Sequence, residues 1–196
     1  MERKVLLFLT GMSGSGKGYF WENYLKPLGK FRKLVSATTR KPREGEAEGR
    51  DYYFRDERFF DTEEFAAKLF VNRQFWKPGE PKWLYGVEKR EILRNGDKNL
   101  VYDVIEPKYV RQMIDWCDEN GRRYDFRIAY FLNPAADLSC AEKRRNMPND
   151  ISVRTENTCN PIDFLRAGLH PDWFMLCSSD GEIFDKRMMD FISKTR

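Results

Sequence analysis

The stretch Gly11-Met12-Ser13-Gly14-Ser15-Gly16-Lys17-Gly18 directly follows the apolar run Val5-Leu6-Leu7-Phe8-Leu9. A short buried strand, a glycine-rich turn and the start of a helix form the context in which such a turn binds phosphate. The glycines let backbone N–H groups converge on an anion, and the helix N-terminus adds positive partial charge. The sequence therefore predicts a phosphate-binding loop formed by Gly11, Ser13, Gly14, Ser15, Gly16, Lys17 and Gly18, in which Lys17 reaches the terminal phosphates of a nucleotide.

Position 18 departs from the usual pattern of such loops. Gly18 stands where a Ser or Thr normally supplies a hydroxyl to Mg²⁺. Because Mg²⁺ tolerates a shell of phosphate oxygens and water, we expect the ion to accompany the nucleotide without a direct protein ligand.

The composition limits the class of protein and its partners. With 196 residues, 41% of them hydrophobic and 34% charged, the chain is typical of one globular domain. The net charge of +4 without a long basic stripe favours a small polyanion over a nucleic acid. A single histidine and scattered cysteines argue against a zinc site or a histidine triad, and they fit a reducing cytoplasm. The N-terminal apolar run is too short for a signal peptide or a membrane span, so we expect no membrane association.

Apolar runs of strand length alternate with helical patterns along the chain. This alternation predicts an α/β fold with a parallel sheet, and a ligand beyond the carboxyl ends of its strands. The predicted strands are 4–10, 33–36, 99–103, 126–131 and 173–177, and the predicted helices are 16–28, 107–119, 134–145 and 181–194. Two stretches interrupt the pattern: 37–95, with a short helix at 61–70 and small strands at 52–55 and 83–86, and the arginine-bearing flap 144–170.

A second motif follows the second predicted strand. It runs Ser36-Ala37-Thr38-Thr39-Arg40-Lys41-Pro42-Arg43-Glu44-Gly45-Glu46 and continues with Gly49, Asp51, Tyr52 and Phe54. It resembles the guanylate kinase family, whose pattern is S-x-T-T-R-x-P-R-x-G-E followed by G-x-D-Y-x-F. The resemblance implies a phosphate-loop, three-layer α/β/α fold with a central parallel five-stranded sheet. It also implies a single domain, with a core at 1–36, 96–143 and 171–196, a nucleoside-monophosphate-binding insertion at 37–95, and a lid at 144–170.

The residue types of this motif suit an acceptor nucleotide. Arg40 and Arg43 carry planar guanidinium groups that can grip a phosphate bidentately, and the phenols of Tyr52 and Tyr85 can donate to it. The resemblance implies that these four residues bind the phosphate of GMP. It further implies that the guanine base is contacted by Ser36 and Asp103 and that Glu46 helps to shape its pocket.

The resemblance also assigns a catalytic set. Phosphoryl transfer depends on positioning and on neutralising charge more than on a base. We expect Lys17, Arg40, Arg144 and Arg154 to carry it, with Arg145 as an alternative to Arg144. Two family features are absent: Val87 replaces a hydroxyl residue after Tyr85-Gly86, and Phe75 replaces a glutamate, for which Glu80 is a possible substitute. We therefore expect a relaxed base or sugar preference.

The predicted function is ATP-dependent phosphorylation of a nucleoside monophosphate, GMP or dGMP to GDP or dGDP, in purine nucleotide metabolism. Its small-molecule partners are then ATP and GMP or dGMP, with no nucleic acid and no membrane, and the protein is expected to act as a monomer or homodimer. Two alternatives stay open. One is a guanylate kinase-like kinase with another acceptor, either a different nucleoside monophosphate or a ribose bisphosphate. The other is a non-catalytic guanylate kinase-like binding module.

Overall fold

The computed structural model describes residues 3–11, 15–61, 69–74, 83–94, 98–103, 106–132, 161–178, 181–183 and 185–195. The chain divides into two compact units. A core unit comprises Met1–Arg32 and Lys98–Arg196, and an insertion unit comprises Lys33–Asp97.

The core unit is built on a sheet with strand β1 near its centre. The sheet order is β10-β9-β8-β1-β7-β2. Strands β7, β1, β8 and β9 run parallel, whereas β10 pairs antiparallel with β9. The strands of this sheet are β1 (Lys4–Gly11), β2 (Phe31–Lys33), β7 (Asn99–Asp103), β8 (Tyr124–Leu132), β9 (Trp173–Ser178) and β10 (Gly181–Ile183).

Both faces of β1 are buried, as the unbroken apolar run predicted for a central parallel strand. Val5, Leu7 and Leu9 belong to one cluster, whereas Leu6 and Phe8 on the opposite face are equally buried.

The core unit contains four helices among the described residues: α1 (Lys17–Phe20), α4 (Pro107–Glu119), α5 (Pro161–Arg166) and α6 (Lys186–Lys194). Helix α1 continues through a π-helical turn (Trp21–Leu25) and a 3₁₀ turn (Lys26–Leu28).

Helices cover the two faces of this sheet from opposite sides. On one face, Phe20 from α1 and Met188 from α6 pack in the same cluster as Leu7 and Leu9. On the other face, the ring of Phe164 in α5 meets Tyr130 of β8 edge-on at 5.6 Å. The predicted three-layer α/β/α fold with a central parallel five-stranded sheet is confirmed, and β10 extends that sheet by an antiparallel edge.

The insertion unit has its own smaller sheet, ordered β4-β3-β6-β5. Strand β3 pairs parallel with β4 and antiparallel with β6, and β5 pairs antiparallel with β6. Ala37, Phe60 and Leu84 form its buried cluster, with Tyr53 and Phe59 packed against them. Its elements are β3 (Ser36–Thr38), β4 (Tyr52–Phe54), α2 (Arg58–Asp61), β5 (Leu69–Gln74), β6 (Trp83–Glu88) and α3 (Lys89–Leu93).

Three local predictions differ from the structure. The predicted strand 33–36 covers the end of one strand and the start of another in a different sheet: β2 ends at Lys33, where the insertion unit begins, and β3 begins at Ser36. Residues 69 and 70, predicted as the end of a helix at 61–70, belong instead to strand β5, which begins at Leu69. The predicted helix 181–194 begins only at Lys186, where the Asp185 side chain accepts the Arg187 N–H at 2.9 Å, and 181–183 pair with β9 instead. The predicted helix 134–145 lies outside the described residues.

Candidate functional site

Gly11 and Gly16 of the predicted phosphate loop have backbone conformations that other residues rarely adopt. Gly11 ends β1 with φ +132°, and a Cβ placed there would lie 2.4 Å from the carbonyl oxygen of Phe131. Gly16 has φ +100° and precedes α1, whose first turn closes with the Phe20 N–H donating to the Gly16 carbonyl at 2.9 Å. Positive φ and close approach of the backbone are the two demands that only glycine meets without strain. Glycine is therefore required at positions 11 and 16, and the loop residues between Gly11 and Ser15 lie outside the described residues.

Lys17 folds back over this turn. Its ammonium group donates to the carbonyl of Gly11 at 2.9 Å, and it lies 3.8 Å from the Asp103 carboxylate. The lysine side chain is only 7% exposed, so its charge is held in place beside the loop. Asp103 stands at the carboxyl end of β7, next to β1, which is where ligands bind in open parallel sheets.

Two positions, Ser15 and Gly18, bear on what the loop could bind. The hydroxyl of Ser15 is buried and has no hydrogen-bond partner among the described residues. At Gly18, a Cβ would meet no described atom within 4 Å, so a serine or threonine would have had room there. A buried hydroxyl with no described partner, next to Gly11, fits a phosphate group, whereas position 18 offers no side-chain oxygen to a metal.

The insertion unit holds a second cationic cluster. Arg40 is 3% exposed, and its Nη2 donates to both carboxylate oxygens of Glu46, at 2.8 and 2.9 Å. Its Nη1 donates to the Lys41 carbonyl at 2.8 Å, and its guanidinium lies 5.2 Å from the centre of the Tyr52 ring. The rings of Tyr52 and Tyr85 meet edge-on at 6.0 Å.

The electrostatics of this cluster follow from its burial. Burial lowers the pKa of Arg43, and the neighbouring charge of Arg40 lowers it further. Burial acts to raise the pKa of Glu46, but hydrogen bonds from Arg40 and from the Arg43 N–H outweigh it, and the pKa is lowered. Burial also opposes the charge of Arg40, yet the hydrogen bond to Glu46 and the nearby tyrosines leave its pKa raised. Because a guanidinium group stays protonated in proteins, these shifts leave two cations in one cluster, as binding of a phosphate dianion requires.

The structure brings the predicted acceptor residues of the insertion together. Arg40, Arg43, Glu46, Tyr52 and Tyr85 share this cluster, and Ser36 lies on β3 opposite Tyr52 on one side and Val87 on the other. Asp103 instead belongs to the core unit, beside Lys17. Thr39 was not singled out from the sequence: its hydroxyl accepts the Leu84 N–H at 2.9 Å, and its own N–H donates to the Leu84 carbonyl at 3.1 Å. In the sequence, the Thr38-Thr39 pair directly before Arg40 is the feature that could have drawn attention to Thr39.

Several predicted residues lie outside the described residues, so their placement stays a prediction. They are Ser13 and Gly14 of the loop, Phe75 and Glu80 of the insertion, and Arg144, Arg145 and Arg154 of the flap. In the part of the chain that the structure covers, no group of three or more His, Cys, Asp or Glu side chains is arranged to hold a metal ion. Over the same residues, no helix has the length and apolar character needed to cross a bilayer.

Comparison with known proteins points to one family. The family model described as guanylate kinase matches residues 3–111. A guanylate kinase of Rickettsia prowazekii is 41% identical over 167 residues, which is 81% of this chain and 77% of the relative. A guanylate kinase of Rickettsia felis is 34% identical over 170 residues, which is 81% of this chain and 79% of the relative.

Other relatives are matched over a shorter stretch, and the fold agrees independently. The guanylate kinase of Desulfitobacterium hafniense is 47% identical over 58 residues, so this chain spans 29% of that relative's length. The crystal structure of guanylate kinase from Anaplasma phagocytophilum superposes with a TM-score of 0.56 at 20% identity, covering 97% of this chain and 85% of that one. At that identity the superposition shows a shared fold. The family model and the two long alignments show more: this chain belongs to the guanylate kinase family.

Proposed function

We propose that this protein transfers the γ-phosphoryl group of ATP to a nucleoside monophosphate, with GMP or dGMP as the acceptor. The observation that supports the proposal is the presence of two groups of cationic side chains and hydrogen-bond donors, one in each unit. One is the glycine cradle with Lys17 in the core unit, and the other is the arginine and tyrosine cluster of the insertion unit. A kinase acting on a nucleotide acceptor needs one such place for the donor phosphates and one for the acceptor phosphate.

On the donor side, the chain supplies fixed positive charge. The Lys17 ammonium, already held at the loop, neutralises charge that develops on the transferred phosphoryl group. The Ser15 hydroxyl, which has no partner among the residues that the structure describes, is available to a phosphate oxygen. We assign Arg144 and Arg154 of the flap to the same donor phosphates on the strength of the family pattern.

On the acceptor side, Arg40 and Arg43 hold the monophosphate and Tyr52 and Tyr85 donate to it. Charged hydrogen bonds of this kind contribute about 1.5–3 kcal/mol each, enough to orient the attacking oxygen. Ser36 and Asp103 are the proposed contacts of the guanine base. Val87, buried opposite Ser36, carries no hydroxyl, and this supports a relaxed preference for base or sugar.

We propose that Mg²⁺ accompanies ATP, as in other phosphoryl-transfer enzymes. When bound with the nucleotide, the ion would neutralise charge on the donor phosphates. The residues present fit an ion held through phosphate and water, since Gly18 offers no side-chain ligand and the Asp103 carboxylate lies 3.8 Å from the Lys17 ammonium. We further propose a cytoplasmic enzyme that acts as a monomer or homodimer, and the scattered cysteines support the first of these.

The experiment is an ADP-release assay with ATP and Mg²⁺ across a panel of acceptors. The panel contains GMP, dGMP, AMP, CMP, UMP, dTMP and a ribose 1,5-bisphosphate. We expect turnover to be greatest with GMP and dGMP, and detectable with at least one further nucleotide. Turnover of the bisphosphate alone would contradict a nucleotide acceptor, and no acceptor-dependent ADP release at all would favour the binding-module alternative.

Lys17→Ala is the matched loss-of-function variant. Removing the lysine should lower kcat/KM by at least about 100-fold, because charge stabilisation at the transition state is lost. Lys186→Ala is the control, since this lysine is exposed at the start of α6 in the same unit. If the Lys17 variant retained the activity of the Lys186 variant, the proposed donor site would be wrong.

A further inference from the structure

The carboxylate of Glu46 accepts hydrogen bonds from two arginines of the insertion unit, Arg40 and Arg43. Both of its oxygens accept from Nη2 of Arg40, at 2.8 and 2.9 Å. Its Oε2 also accepts from the backbone N–H of Arg43, at 2.8 Å. One side chain thus fixes the guanidinium of the first arginine and the main chain of the second.

Because Arg40 and Glu46 are largely buried, each charge needs the hydrogen-bonded counter-charge of the other. Arg40 is 3% exposed and Glu46 is 18% exposed, so neither charge is well solvated. A buried cation without a counter-charge is costly, and two guanidinium groups brought to one place repel each other. The lowered pKa of Arg43, caused first by burial and then by Arg40, is consistent with that repulsion. A carboxylate between them holds the pair in position before any ligand arrives.

We propose that Glu46 is a positioning residue for the acceptor phosphate, acting through Arg40 and Arg43 and not through the base. This inference rests on the proposed function and refines it, because the family resemblance implied a role for Glu46 in the guanine pocket. Its oxygens already accept three hydrogen bonds from the arginines. The arginine pair is therefore preorganised for a dianion, which lowers the cost of ordering it on binding.

The test compares Glu46→Gln, Glu46→Asp and Glu44→Gln in steady-state kinetics. Glu44 is an exposed carboxylate in the same turn, so its substitution controls for the loss of a negative charge. We expect Glu46→Gln to raise the KM for GMP at least tenfold, with the KM for ATP changed less than twofold. Glu46→Asp, which keeps the charge, should recover part of the loss, and Glu44→Gln should match the unaltered protein.

A second readout separates positioning from base contact. The ratio of kcat/KM for GMP to that for IMP reports the guanine amino group, which IMP lacks. We expect Glu46→Gln to leave this ratio within twofold while both acceptors lose affinity. A ratio that collapses would overturn the inference in favour of base contact, and so would an unchanged KM for GMP.

Failure of the proposed function would look different from failure of this inference. If the unaltered protein turned over no nucleotide acceptor, the function itself would be wrong. If it were active and Glu46→Gln behaved like Glu44→Gln, only the role of Glu46 would be wrong. Should Glu46→Gln melt well below the other variants, Glu46→Asp decides the question by the same two readouts.

Discussion

Gly11 and Gly18 lie seven positions apart in the same loop and helix start, yet they differ in what a side chain would meet. At Gly11, φ is +132° and a Cβ would lie 2.4 Å from the Phe131 carbonyl oxygen, which belongs to a central strand that cannot easily move. We predict that Gly11→Ala lowers the free energy of unfolding by at least about 2 kcal/mol, from backbone strain together with the clash. Urea denaturation followed by circular dichroism measures it.

Gly18→Ala is the paired substitution at a site without either constraint. Gly18 lies within α1, and a Cβ there meets no described atom within 4 Å. Because alanine is the better helix former by about 0.5–1 kcal/mol, this variant should be as stable as the unaltered protein or slightly more so. Equal destabilisation of the two variants would mean that the strained geometry at Gly11 has been misassigned.

At the scale of an element, the turn that carries Arg40 to Glu46 predicts how acid affects stability. The pKa of Glu46 is lowered from its ordinary 4.5 in the folded protein, because hydrogen bonds from Arg40 and Arg43 outweigh burial. A depressed carboxyl pKa adds stability that is fully present above the unfolded value and is lost as the pH falls through the folded one. We predict a steeper loss of unfolding free energy below about pH 4.5 in the unaltered protein than in Glu46→Gln. Glu44→Gln should keep the steeper slope, and parallel curves for all three proteins would contradict the prediction.

The elements also show which parts of the fold the sequence could predict. Strands β1, β7, β8 and β9 and helix α4 were recognisable because apolar runs or helical periodicity mark them locally. The split of residues 31–38 between β2 and β3 was not, since Leu34-Val35 continues the apolar run across the change of sheet. The start of α6 could have been found from Asp185, because Asp is a preferred N-cap residue, and its side chain accepts the Arg187 N–H at 2.9 Å. In the site, Arg40 and Glu46 were both predicted, but their mutual pairing depends on a tertiary turn that no local pattern encodes.

At the scale of the whole molecule, Cys117 offers a probe of how ligand binding stabilises the core unit. It is fully buried in α4, and burial raises the pKa of its thiol to about 12. Near pH 8 almost none of it is the reactive thiolate while the protein is folded, so alkylation must proceed through opening of the structure. Peptide mapping by mass spectrometry reads this cysteine separately from Cys140, Cys159 and Cys177.

The prediction follows from linkage between binding and opening. A ligand at 100 times its Kd that binds only the folded state adds about 2.7 kcal/mol of stability, which is about a 100-fold shift in the opening equilibrium. We predict that a non-hydrolysable ATP analogue with Mg²⁺ slows alkylation of Cys117 by about that factor, because the buried cysteine and the phosphate loop open together as one cooperative core. At the same analogue concentration, Lys17→Ala should show a much smaller protection, since its affinity for the phosphates is weakened. Protection that is absent in the unaltered protein would show that α4 opens locally, independently of the sheet that carries the phosphate loop.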